Sequence, residues 1–127
     1  MLREFMRSAI HGARVTACKP EGDDALIVDR DLLAAADLLP LERVDVTNLT
    51  RGSSFLARCV AGPAGNREVV CGGDVARFAA DGDLLSISAS TWLDREDLPR
   101  HRARIVELDD GNRVRAVVER TPFDVDV

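Results

Sequence analysis

A chain of 127 residues and 13.8 kDa fits one domain of ordinary size and leaves no room for two. Hydrophobic residues at 46% and charged residues at 31% supply a core and exclude a disordered chain. A net charge of -5 excludes a protein that coats nucleic acid, since phosphate binding needs a basic footprint, and no apolar run approaches the ~20 residues of a membrane-spanning helix. Without the apolar core of a signal peptide at its start, the chain is expected to be cytoplasmic, with neither a nucleic acid nor a membrane as partner.

In chain order, short apolar runs alternate with turn signals, the pattern of an all-β barrel or sandwich. Ala13 to Ala17, Leu26 to Val28 and Val44 to Leu49 read as strands. Between the second and third, Asp29 is placed to cap a helix over Arg30 to Asp37, whose Leu32, Leu33 and Ala36 share a face. Strand patterns resume at Phe55 to Val60 and Glu68 to Cys71. Asp74 then stands where it would cap a shorter helical turn, Val75 to Ala80, ahead of Asp81-Gly82. After the strand Leu84 to Ser88, the polar stretch Thr91 to Arg104 carries Pro99 and reads as a loop or irregular helix. Arg104 to Leu108 and Val114 to Val118 complete the strands, and Phe123 to Val127 are expected to fray.

The chemistry-bearing residues are sparse. Cys18, Cys59 and Cys71 form no CxxC pair, and His11 and His101 stand far apart, so the thiols read as free and buried and no metal is expected. Sixteen of the 17 basic residues are Arg, which leaves Lys19 as the one lysine for any Schiff-base chemistry.

Taken together, His11 with Arg14-Val15-Thr16, Asp29 with the Leu33 to Ala36 helix, Asn48, Gly52, Phe55, Gly65, Gly73 and Gly82-Asp83 resemble, in order and spacing, the pyruvoyl-dependent aspartate 1-decarboxylase family. The resemblance reaches to about Asn112. It implies a small double-psi β-barrel over residues 1–127, mostly β with two short helices, and a homotetramer with active sites between adjacent subunits.

The functional positions depart from that family. Its members cut their own chain at a Gly-Ser bond and convert the serine to a pyruvoyl group. Here the matching pair is Asp24-Ala25, and no Ser or Thr stands between Thr16 and Thr47. The family's active-site lysine matches Ala9, its tyrosine before the cut Gly22, and its carboxylate-binding arginine Ser54. A threonine and tyrosine match Ala57 and Arg58, a tryptophan Thr47, and an asparagine Gly72. Most of these replacements remove volume, which predicts an enlarged pocket lined by Ala9, Gly22, Thr47, Ser54, Cys71, Gly72 and Gly73, with no cofactor.

Within that pocket His11, Asp24 and Asp74 are candidates for proton transfer, and Arg58 for holding a carboxylate or an enolate. Each also has a plainer reading: a structural histidine, a solvated acidic turn, a helix cap, and an arginine facing solvent or another subunit. Cys71 is a candidate nucleophile if its pKa is depressed, and Gly72-Gly73 a candidate phosphate cradle at a helix start.

Three functions follow. The first is a cofactor-free cyclase, isomerase or lyase of specialised metabolism acting on a small molecule larger than aspartate. The second is a non-catalytic homologue that binds a ligand or an active decarboxylase partner. The third is a true aspartate 1-decarboxylase matured at another serine, such as Ser53 or Ser54.

Overall fold

A computed structural model describes residues 1–124 of the chain. The expected fraying of Phe123 to Val127 falls mostly on residues outside them. Among the described residues, nine strands lie in one sheet of order β2-β6-β3-β5-β4-β7-β1-β8-β9. They are β1 (Leu2–Arg14), β2 (Ala17–Lys19), β3 (Leu26–Asp29), β4 (Arg43–Asn48), β5 (Ser54–Gly62), β6 (Val69–Gly72), β7 (Leu84–Asp94), β8 (Ala103–Leu108) and β9 (Val114–Arg120). Three of the pairings are parallel, β1 with β8, β2 with β6 and β3 with β5, and the rest antiparallel. The mostly β architecture is that of the small β-barrel expected, with three short helical segments rather than two.

The strands form where β-branched residues recur at every second position. Along β4, Val44, Val46 and Asn48 are buried while Arg43 and Asp45 face outward; Ile10 on β1, Leu85 and Ile87 on β7 and Val106 on β8 meet them in one core. Each such aliphatic side chain, fully removed from water, contributes about 1.5–3 kcal/mol before chain entropy is counted.

The first helix, α1 (Arg30–Ala35), starts where expected and stops two residues short of Asp37. Asp29 anchors it. Its carboxylate accepts the Asp31 N–H at 2.7 Å and also the N–H groups of Gly65 and Arg67 at 3.2 and 2.7 Å, so one buried side chain fastens the helix start to the loop before β6.

Two strands are longer than the sequence pattern predicts. β1 begins at Leu2 and β7 continues to Asp94, because their outer halves pair with each other: Leu2 lies opposite Asp94, and Glu4 opposite Trp92. This corrects the reading of Thr91 to Asp94 as loop. The backbone partner is supplied from about 90 residues away, which local alternation cannot register. Beyond it, Arg95–Arg100 form a 3-10 helix with a capping box between Asp94 and Asp97.

One end of the barrel is closed by a polar knot. Asn48, fully buried, donates to the Phe78 carbonyl at 3.0 Å and to the Asp83 carboxylate at 2.9 Å, while its own oxygen accepts the N–H groups of Thr50 and Arg51. Asp83 also accepts from the Arg51 guanidinium at 2.6 Å and from the Ala80 N–H at 2.9 Å. These donors hold the Asp83 carboxyl down at about 2, the Asn48 amide contributing most.

Candidate active site

The segment between β2 and β3 is a hydrogen-bonded turn. The Gly22 N–H donates to the Lys19 carbonyl and the Ala25 N–H to the Asp23 carbonyl, both at 2.9 Å; the Ala25 carbonyl accepts the Gly72 N–H at 2.9 Å. The Asp24 carboxylate accepts the Asp74 N–H, also at 2.9 Å. Asp74 therefore does not cap the following 3-10 helix, which runs Gly73–Phe78 with Gly72 before it and no capping side chain there. Asp24, 50 residues earlier, supplies that acceptor, and the expected capping role of Asp74 is corrected accordingly.

Gly72 and Gly73 are required by this turn. A Cβ on Gly72 would lie 2.2 Å from the Asp23 carbonyl oxygen, and one on Gly73 2.7 Å from the Asp24 Cα. Gly73 also has φ +58, which disfavours any side chain. The volume expected to be emptied at position 72 is thus filled by the backbone of Asp23 and Asp24. It does not enlarge a pocket, and it gives the two glycines a packing role in place of the phosphate cradle.

Beside the turn, β4 and β5 run antiparallel with Arg43 directly opposite Arg58 and Asp45 opposite Leu56. A cavity of about 360 Å³ opens here, lined by Asp24, Arg43, Leu56, Ala57, Arg58, Asp74, Val75 and Phe78. The Phe78 ring stacks on Phe55 with centroids 4.9 Å apart, which fixes the apolar wall. Two carboxylates, two guanidiniums and a short apolar surface converge, the composition of a small polar-ligand site.

Of the four candidate catalytic residues, three meet at this cavity: Asp24, Asp74 and Arg58. His11 does not. It is exposed on β1 opposite Ser86 of β7 and Glu107 of β8, and among the described residues its ring makes no hydrogen bond. None of the seven predicted pocket positions lines the cavity. Ala9 is buried in the sheet between β7 and β8, and Gly22 lies in the turn. Thr47 and Ser54 face each other at the far end of the β4–β5 ribbon with their hydroxyls 3.4 Å apart. Cys71 is fully buried beside Cys18; desolvation and the neighbouring thiol push its pKa up to about 12, the reverse of what a nucleophile requires. Arg43, Leu56, Val75 and Phe78 were missing from the sequence reading. The alternation of β4, with Val44 and Val46 inward, already turned Arg43 outward; its meeting with Arg58 depends on the register across residues 49–53.

A small mixed β-barrel carrying an acid- and arginine-lined cavity beside a glycine-backed turn defines the class: a small β-barrel protein with a polar-ligand cavity. Comparison with known sequences narrows the class. The aspartate decarboxylase family profile matches residues 1–115. The chain is 38% identical over 113 residues to the aspartate 1-decarboxylase of Syntrophobacter fumaroxidans, covering 89% of this chain and 91% of that one. It is 39% identical over 118 residues to aspartate 1-decarboxylase 1 of Gloeobacter violaceus, covering 93% and 100%, and 34% identical over 115 residues to the aspartate 1-decarboxylase of Leptothrix cholodnii, covering 91% and 88%. The chain belongs to the aspartate decarboxylase family.

These relatives overturn the expectation of an enzyme of cyclase, isomerase or lyase type repurposed for specialised metabolism on a molecule larger than aspartate. Their names point to decarboxylation, and the filled space at Gly72 removes part of the argument on which that expectation rested.

Proposed function

We propose that the chain is a member of the aspartate decarboxylase family that remains uncut, carries no pyruvoyl group, and binds a small anionic ligand without catalysis. The observation that carries this reading is the Asp24–Ala25 turn. Making pyruvoyl from a peptide bond needs a side-chain oxygen to attack the preceding carbonyl and then leave; Ala25 offers a methyl group. The Asp24 side chain also ties this turn to the next structural segment by accepting the Asp74 N–H. Ser53 and Ser54 follow Gly52 in the separate turn between β4 and β5, so the residues that back the Asp24–Ala25 bond do not back them. The residues present do not fit the pyruvoyl group.

In this reading Arg58 and Arg43 supply positive charge, Asp24 and Asp74 accept hydrogen bonds, and Leu56, Val75 and Phe78 exclude water from one side of the ligand. As the resemblance implies, the chain assembles as a tetramer, alone or with an active decarboxylase.

A second reading is favoured by one observation, the shared name of relatives 34–39% identical over nearly the whole chain: aspartate 1-decarboxylase. Incubation of the purified protein with L-aspartate separates the two. The first reading expects no release of carbon dioxide above a heat-treated control. Steady formation of 3-aminopropanoate, the amine left when C1 departs as carbon dioxide, would establish the second.

A further inference from the structure

Arg43 and Arg58 occupy directly opposed positions on the antiparallel β4 and β5, so their side chains leave the same face of the ribbon. Like charges in that relation repel and destabilise a strand pair. Some other arginines are neutralised, Arg7 by Glu42 and Asp37, Arg51 by Asp83 and Arg14 by Asp110, while Arg3, Arg30 and Arg77 have no ion pair among the described residues; what sets Arg43 and Arg58 apart is that they oppose each other in one cavity. Among the described residues Arg43 and Arg58 have neither an ion pair nor a hydrogen bond, although both line the cavity that also contains Asp24 and Asp74. Asp24 is committed instead to the Asp74 N–H.

Immediately beside the two guanidiniums lies apolar surface that the chain leaves open. Leu56, two residues before Arg58 on the same face of β5, is 53% exposed, and Phe78 is 42% exposed. Both line the same cavity. A guanidinium presents a planar fork that matches the two oxygens of a carboxylate, and two such forks side by side suit one carboxylate bridged between strands.

We propose that Arg43 and Arg58 form a carboxylate clamp, and that its ligand is a monocarboxylate with a short apolar body lying against Leu56 and Phe78. The clamp rests on the ligand-binding reading given above, yet the two fail separately: chain cleavage is read by mass, the clamp by binding. The bound carboxylate relieves the repulsion across the β4–β5 ribbon, so ligand and strand pairing stabilise each other.

Hexanoate, with propionate and inorganic sulfate as comparison probes, tests the clamp by calorimetric titration of the full-length protein at low salt. The expected result is saturable hexanoate binding that is tighter than that of propionate or sulfate. Arg43→Gln and Arg58→Gln each weaken it at least ~10-fold, as the loss of a charge-assisted hydrogen bond to a carboxylate does. Without ligand, the single variants melt no lower than the parent, because each removes a repulsion rather than a contact; this keeps loss of binding distinct from loss of fold. Leu56→Ser weakens hexanoate while leaving propionate nearly unchanged. The clamp is overturned by absence of saturable binding, or by affinities that neither arginine substitution alters. Sulfate binding as tightly as hexanoate would overturn the apolar half of the proposal.

Discussion

The polar knot at Asn48 and Asp83 and the cavity at Arg43 and Arg58 lie at opposite ends of β4 and treat charge in opposite ways. In the knot every donor meets an acceptor: the Asn48 side chain makes four hydrogen bonds and the Asp83 Oδ2 accepts three. At the other end of β4, two arginines oppose each other, and among the described residues neither has an ion pair or a hydrogen bond. A saturated buried network fixes the end of β4 against the start of β7; two exposed cations opposed across β4 and β5 repel each other and do not help to hold the fold. The first region holds the barrel, and the second is held by it.

The largest effect expected from disturbing this contrast is at the knot. Asn48→Ala removes one of the three donors to Asp83 and strands the Phe78 carbonyl and two backbone N–H groups, and is expected to cost about 2–4 kcal/mol of unfolding free energy in urea titrations. A loss below about 0.5 kcal/mol would mean that the knot is solvated rather than structural.

Next comes the turn against which the cavity is built. Gly72→Ala places a Cβ 2.2 Å from the Asp23 carbonyl oxygen, so the Asp23-Asp24-Ala25 backbone has to move. We expect a loss of about 1–3 kcal/mol, and faster proteolytic nicking within residues 22–25. Gly82→Ala is the control: with φ +88 but open space around its Cβ, it costs backbone strain alone, on the order of 1 kcal/mol, and leaves the turn uncut.

The smallest effect is that of pH. Asp83 has a folded pKa of about 2 against 3.8 for a free carboxyl, so its stabilising contribution is complete above pH 3.8 and disappears as the pH falls toward 2. The melting temperature of the parent therefore declines across that window, and Asp83→Asn, less stable at pH 6, declines less steeply. Equal slopes in the two proteins would place the acid sensitivity elsewhere.

How much of this the sequence carried differs between the two regions. Asn48 and Asp83 stood out as spaced landmarks, and the structure gives them one reason, since they build a single knot. The helix start at Asp29 was visible because capping is local, a carboxylate reaching an N–H two residues on. The site was less legible because its relations are distant in sequence. That Asp24, rather than Asp74, supplies the acceptor at the second helical segment depends on β3 and β6 lying side by side. The loss of a side chain at position 72 suggested free volume; only packing reveals that the Asp23 carbonyl takes it. Arg58 was named as a candidate and does line the cavity, while Arg43 passed unnoticed, because a cross-strand partner is set by register and not by spacing along one strand.

The central claim is that the Asp24–Ala25 bond stays closed, and intact mass spectrometry of the denatured, purified protein tests it most directly. The account predicts one species at the full-length mass of 13.8 kDa, unchanged after prolonged incubation at 37 °C. Two fragments meeting at or near residue 24, the second beginning with a pyruvoyl group, would contradict it and make the chain a self-processing decarboxylase.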